Sequence, residues 1–299
     1  MNGNLVFTRI VYMINNKNGI DMERKRDGKK LVISLIFGIA LLFAYIFGSE
    51  FATKITNSVF SNPQIDQLAS FATQIITCII ACFFMRKMYN VKLDPSCKNM
   101  AVGMVEYGAG AWIFICLNIW EKLVTGYTIP ELPVTKVIFI VAISLLNYIG
   151  VGIAEEVICR GIFFNAYMKF FGDNKKGVII STILSSAMFG SAHALNLIGQ
   201  PELIVHTIAQ IIYAILFGAL FCAVYYRTGN LWPGIILHGL VDFASLVFRD
   251  LNPEMVSTDD TIFMGIMSVA VVFVAFVMAM VQFNTVFKNK KAESIEANA

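Results

Sequence analysis

The sequence predicts an all-α polytopic membrane protein, built as a bundle of transmembrane helices. Hydrophobic residues make up 57% of the 299 residues, charged residues make up only 14%, and the mean hydropathy is +0.70. Soluble globular chains carry about 25% charged residues, so this composition excludes an ordinary soluble domain. One helical span needs about 20 apolar residues, and the chain offers several segments of that length.

Apolar segments of span length predict eight transmembrane helices. The first follows the basic segment 1–30, and its apolar stretch has full span length. Because no small-residue cleavage pattern follows that stretch, we expect a retained helix rather than a signal peptide. The predicted spans are residues 31–49, 67–85, 101–120, 136–167, 177–195, 203–226, 231–249 and 262–287.

The distribution of basic residues predicts the orientation of these helices. Of the 23 Lys and Arg residues, 18 fall in segments on the side of the N-terminus, four fall on the opposite side, and Arg160 lies inside a span. Cytoplasmic loops of membrane proteins are enriched in Lys and Arg. We therefore expect both termini to lie in the cytoplasm.

The fourth apolar segment, residues 136–167, is too long for a simple span. As an unbroken helix it would measure about 48 Å, against a hydrocarbon core of about 30 Å. It must tilt, break or leave the membrane as an interfacial helix. Gly161 is the predicted break, and the basic loop 169–176 beyond it suggests that substrate enters from the cytoplasmic side.

Ionisable residues inside the predicted spans mark a candidate site. Such residues are costly in a hydrocarbon environment, so their default interpretation is functional. All but one of them fall between positions 155 and 242. They are Glu106, Glu155, Glu156, Arg160, His193, His238 and Asp242.

Two adjacent glutamates precede the buried arginine at helical spacing. Glu156 and Arg160 are four residues apart, so they share a helix face and can form an ion pair. Glu155 is rotated by about 100° from Glu156, so Arg160 does not easily neutralise it as well. A desolvated carboxylate beside a like charge is suited to act as a general base. The alternative interpretation is a buried ion-pair cluster that only joins helices.

Two histidines occur in similar four-residue patterns on later spans. Phe189 and His193 share one helix face, and His238 and Asp242 share another. His238 and Asp242 could bind one metal, with Glu155, His193, His238 and Asp242 as candidate zinc ligands. Alternatively, Asp242 could orient His238 as a supporting carboxylate, or the pair could be purely structural.

Together these residues offer a base, a proton carrier and oxyanion donors, which is the set needed to add water to a carbonyl group. Spacing alone does not establish that the three spans converge. Asn147, Glu106 and His206 are weaker candidates, and a structural or interfacial role is favoured for each.

The three patterns resemble the motifs of a known family. Glu155-Glu156-x-x-x-Arg160, Phe189-x-x-x-His193 and His238-x-x-x-Asp242 are similar to those of the CAAX-protease and bacteriocin-processing (CPBP) family. This family is related to the type II CAAX prenyl endopeptidases and is also called Abi. The resemblance covers about residues 140–245, and the segment 227–234 before His238 also fits it.

The resemblance implies an intramembrane peptidase. Glu155 would be the base that activates water, assisted by His193, which packs on Phe189. Glu156 with Arg160 would support the site, or Glu156 would contribute to it directly. His238 and the residue at 242 would polarise the scissile carbonyl, although Asp242 stands where the prenyl endopeptidases favour Asn. A charged Asp242 would repel an oxyanion, so it must be protonated, bind a metal or serve His238.

The expected division of the chain is a cytoplasmic basic segment at 1–30, N-terminal helices at 31–135, a catalytic helical core at 136–250, and a last helix with a cytoplasmic tail at 251–299. The expected partners are a peptide or protein substrate and the lipid bilayer, with no nucleic acid. The expected location is the plasma membrane, in a bacterium.

Two other functions stay open. One is a non-enzymatic immunity or scaffold protein of the same family, and the other is a proton-coupled transporter.

Overall fold

A computed structural model describes residues 27–94, 97, 99–124, 127–128, 130–199, 201–253 and 261–296, so most of the basic N-terminal segment and the last three residues lie outside the described part. The fold is all-α. The helices are α1 (Gly28–Phe60), α2 (Pro63–Tyr89), α3 (Ala109–Val124), α4 (Val134–Glu156), α5 (Asn165–Phe171), α6 (Lys175–Ala192), α7 (Asn196–Gly199), α8 (Ile204–Thr228), α9 (Trp232–Leu251) and α10 (Thr261–Glu296).

Six helical segments are long and apolar enough to cross a membrane, so the chain is a multi-pass membrane protein. They are Gly28–Phe60, Pro63–Tyr89, Val134–Phe171, Lys175–Ile198, Pro201–Thr228 and Met267–Lys290. Two of the eight predicted spans, residues 101–120 and 231–249, are not among these six described segments. The region 101–120 is divided between a π-helical segment, Val102–Tyr107, and the short helix α3. Helix α9 is long enough, but its polar residues make it less apolar than a typical span.

The long fourth segment was predicted to break at Gly161, but it does not. Instead, the chain passes from α4 through a π-helical segment, Val157–Phe164, and continues as α5. Gly161 lies within this wider turn, where the sulfur of Met85 packs against it. A π-helical turn inside a helix is common at functional sites, and this one begins directly after the paired glutamates.

Helices α1 and α2 form an antiparallel hairpin that packs along α4 and α5. Asn62 begins α2, its side chain accepting hydrogen bonds from the backbone N–H groups of Gln64 and Ile65, as is typical of a helix cap. In α1, the glycine Gly38 lies directly against the ring of Phe163. The N-terminal end of α1 therefore lies beside α5, and its C-terminal half runs past the end of α4.

Glycines also bring α4 and α9 close together. A Cβ atom built on Gly152 would lie 2.5 Å from the carbonyl oxygen of Ile235, and one on Gly239 would lie 2.7 Å from the Cα of Ile149. Backbone atoms cannot move aside as a flexible side chain can. The two helices that carry most of the ionisable residues are thus held at a separation that only glycine permits.

We expect Gly152→Ala to lower the melting temperature, because the new methyl group must push α9 away from α4 at a cost of about 1–3 kcal/mol. The matched control is Gly48→Ala, since a Cβ atom there meets nothing within 4 Å. In a helix that substitution is neutral or stabilising by up to about 1 kcal/mol. Thermal denaturation of both variants in detergent checks this, and equal melting temperatures would contradict the close approach.

Candidate active site

A buried ion pair forms the base of the candidate site. Arg160 is 0% exposed and Glu156 is 1% exposed. The Nη1 atom of Arg160 donates to Oε1 of Glu156 at 2.7 Å, and its Nη2 atom donates to the carbonyl oxygen of Gly218 at 3.0 Å. The predicted pairing of Glu156 with Arg160 is therefore present, and a helix outside the motif, α8, completes it.

Aromatic rings enclose the guanidinium group. Its Cζ atom lies 4.7 Å from the ring centre of Phe189 and 5.4 Å from that of Phe221. Cations over aromatic faces are stabilised by the ring quadrupole, most strongly where water is excluded. The two rings therefore help to compensate for the burial of a permanently charged group.

His238 is held by the same glutamate. Its Nδ1 atom lies 3.0 Å from Oε1 of Glu156, the oxygen that also accepts from Arg160. Because an ionised carboxylate only accepts hydrogen bonds, Nδ1 carries a proton. The imidazole also stacks on Phe221, with ring centres 5.4 Å apart. The sequence offered Asp242 as one candidate for orienting this histidine, and it did not predict the contact with Glu156.

The other nitrogen of His238 faces two further carboxylates. Its Nε2 atom lies 3.6 Å from Oε2 of Glu155 and 3.6 Å from Oδ2 of Asp242. The side chains of these two acids are 18% and 28% exposed, whereas that of His238 is 6% exposed. Three of the predicted residues thus meet at one point, with the histidine beneath the two more accessible acids.

Glu155 and His193 line one cavity of about 280 Å³. His193 follows the C-terminal end of α6, and its ring packs edge-to-face on Phe189 at 5.6 Å. Phe189 in turn packs edge-to-face on His238 at 5.4 Å. The structure therefore brings all six predicted site residues into one connected cluster, but only Glu155 and His193 reach the cavity wall.

Helix α1 supplies much of the remaining wall, which sequence reasoning did not predict. The lining residues are Leu42, Tyr45, Ile46, Ser49, Glu50, Thr53, Glu155, Cys159, Phe189, Ala192, His193, Leu195 and Asn196. Those on α1 run from its middle toward its C-terminal end, and those near α6 lie in its last turn or beyond its C-terminal end. The cavity therefore lies toward the end of the bundle opposite Gly28 and Lys175, which does not favour the predicted entry beside loop 169–176.

The four candidate zinc ligands do not form a metal site in this arrangement. Within the described part of the chain, no group of three or more His, Cys, Asp and Glu side chains could hold a metal ion. The Nδ1 atom of His238 is engaged by Glu156, and the chemistry proposed for the site relies on the side chains themselves.

A second polar cluster lies on α9, nearer its C-terminal end. The Oδ2 atom of Asp250 accepts hydrogen bonds from Gln67 at 2.9 Å, from Ser144 at 2.8 Å and from Tyr148 at 2.8 Å. This carboxylate joins α9 to α2 and α4. It escaped sequence analysis because residue 250 falls just beyond the predicted span 231–249.

The weaker candidates lie away from the cavity. Asn147 accepts a hydrogen bond from the buried amide of Gln74 at 3.1 Å, which is consistent with a structural role. Glu106 and His206 are exposed. Both are useful as matched controls for the site residues of the same type.

The fold and the site define the class of protein, which is a multi-pass helical membrane protein with carboxylates and imidazoles around a cavity. Residues 137–244 match the family model described as Type II CAAX prenyl endopeptidase Rce1-like. The chain thus contains a domain of this family, also known as CPBP or Abi, and the motif resemblance is confirmed. The matched segment is about a third of the chain and holds all six site residues. No curated protein and no solved structure matches the chain.

Proposed function

We propose that this protein is an intramembrane endopeptidase that hydrolyses a peptide bond with water activated by Glu155. The single observation that carries the proposal is the position of Glu155, which lines a 280 Å³ cavity together with His193 and rests on a buried His238–Glu156–Arg160 chain. The match of residues 137–244 to an endopeptidase family supports the same reaction.

In the proposed reaction, Glu155 takes a proton from a water molecule in the cavity, and the water oxygen adds to the carbonyl carbon of the peptide. His193, which lines the same cavity, donates a hydrogen bond to the resulting oxyanion. Glu155 then passes the proton to the peptide nitrogen as the C–N bond breaks. The products are one carboxylate and one amine, so no further reactant is required.

His238 and Asp242 act below the cavity in this proposal. Nδ1 of His238 is fixed by Glu156, so its Nε2 atom is directed at both Glu155 and Asp242. A histidine held in this way positions the catalytic carboxylate. Asp242 then serves His238 and does not meet the oxyanion, which explains how an acid is accommodated at this position.

We also propose that the chain crosses the membrane eight times, with both termini in the cytoplasm. The bias of Lys and Arg toward the N-terminal side supports this topology, with the more polar helix α9 and the short helix α3 with the segment before it as the other two crossings. The cavity would then open toward the external side. A bacterial plasma membrane stays a prediction from the sequence.

The proposal predicts that His193, on the cavity wall, is needed for cleavage and that the exposed His206 is not. Purified protein in liposomes is incubated with a peptide library, and new termini are identified by mass spectrometry. Wild type and His206→Asn release the same fragments, whereas His193→Asn loses about 10²-fold or more of the rate, the usual loss for an oxyanion donor. Equal cleavage by His193→Asn would contradict the role of His193.

A non-enzymatic immunity or scaffold protein is the alternative that this screen addresses. It would release no fragments at any enzyme concentration. The partly exposed Glu155 favours the enzyme, because a carboxylate on the cavity wall can reach water, whereas Glu156 is buried in its ion pair with Arg160.

A further inference from the structure

Helix α1 lies outside the matched segment 137–244, yet it forms one whole wall of the cavity. Its lining residues recur every three or four positions, which places them on one helix face. Their chemistry changes along the helix. Leu42 is apolar and buried and Ile46 is apolar and half-buried, whereas the polar Ser49 and Thr53 are half-buried and Glu50 is exposed, which places the cavity mouth near Glu50.

Glu50 is the acidic residue on this wall. Its side chain is 53% exposed and forms an ion pair with Lys54 at 2.7 Å, and the lysine side chain is 72% exposed. Exposed pairs at this spacing contribute little to stability. The carboxylate of Glu50 can therefore exchange Lys54 for another cation at small cost.

The distance from the site of hydrolysis to Glu50 fits a short stretch of peptide. Tyr45 lines the cavity and lies close enough to Glu155 for an electrostatic interaction, and Glu50 lies five residues further along α1. That interval is a rise of about 8 Å, and an extended peptide covers it in about two or three residues. A peptide that leaves Glu155 through the mouth thus passes Glu50 at this separation from its scissile bond.

We propose that Glu50 is a specificity-determining residue that binds a Lys or Arg side chain two or three residues from the scissile bond of the substrate. The favoured substrate is then a peptide with an apolar segment at the cleavage point and a basic residue near it. This assignment relies on the proposed peptidase function for the location of the scissile bond.

Peptide binding to the Glu155→Gln protein tests the proposal without requiring cleavage. The probes are fluorescent peptides with an apolar core and either Lys or Glu two or three residues from its centre. The Lys peptide is expected to bind about fivefold more tightly than the Glu peptide. Adding Glu50→Gln should remove this preference, and adding Glu50→Lys should reverse it, whereas the control Glu106→Lys should leave it unchanged.

A preference that survives both Glu50 substitutions would overturn the proposal, as would the absence of any preference or of any binding. The two proposals fail separately. Cleavage that depends on Glu155 but is indifferent to Glu50 would remove only the basic-residue site. A Glu50-dependent preference in a protein that cleaves nothing would keep the site and remove the peptidase function.

Discussion

Arg160→Met is expected to destabilise the protein by about 3–5 kcal/mol, the usual result of leaving one partner of a buried ion pair uncompensated. The methionine side chain fills much of the same volume, so the loss comes from the charge. Glu156, 1% exposed, would keep only the hydrogen bond from His238. The carbonyl oxygen of Gly218 would also lose its donor.

Thermal denaturation in detergent measures this effect, and we expect a fall of about 10 °C or more in melting temperature. Arg86→Met is the matched control, because Arg86 is exposed at the C-terminal end of α2. Adding Glu156→Gln to Arg160→Met should recover part of the stability, since the buried charge is then gone. An Arg160→Met protein that melts with the wild type would show that the pair is not buried as described.

Glu155→Gln is expected to lower kcat by about 10²–10⁴-fold, the range typical of a lost general base. The melting temperature should change little, because glutamine has the same shape and the side chain of Glu155 is partly exposed in the cavity. KM should also change little if the carboxylate acts on water rather than on bound peptide.

The control for this experiment is Glu106→Gln, an exposed glutamate on the segment before α3. It should keep full activity. If Glu155→Gln retained kcat within a few fold of the wild type, water activation would have to be assigned to another group, and Asp242 beside His238 would be the next candidate.

The elements predicted best from the sequence were those that depend on local spacing. The pairing of Glu156 with Arg160 follows from a four-residue interval on one helix. The membrane class follows from composition, and the family follows from three short motifs. Each of these needs no knowledge of how one helix is oriented against another.

The rest depends on packing between helices. Glu156, and not Asp242, holds Nδ1 of His238. This contact depends on the close approach of α4 and α9 at Gly152, which no residue spacing reveals. The contribution of α1 to the cavity was missed because its apolar residues face both lipid and protein, so the pattern does not show which face is covered.

The most direct test of the central claim asks whether water attacks the peptide without a covalent intermediate. Cys159 lines the same cavity as His193, so a thiol nucleophile is the competing mechanism. Wild-type protein is incubated with hydroxylamine and a peptide that it cleaves, and the new termini are analysed by mass spectrometry. Direct attack by Glu155-activated water predicts only carboxylate products and an unmodified protein mass. Peptide hydroxamates, or protein carrying the acyl fragment on Cys159, would contradict it.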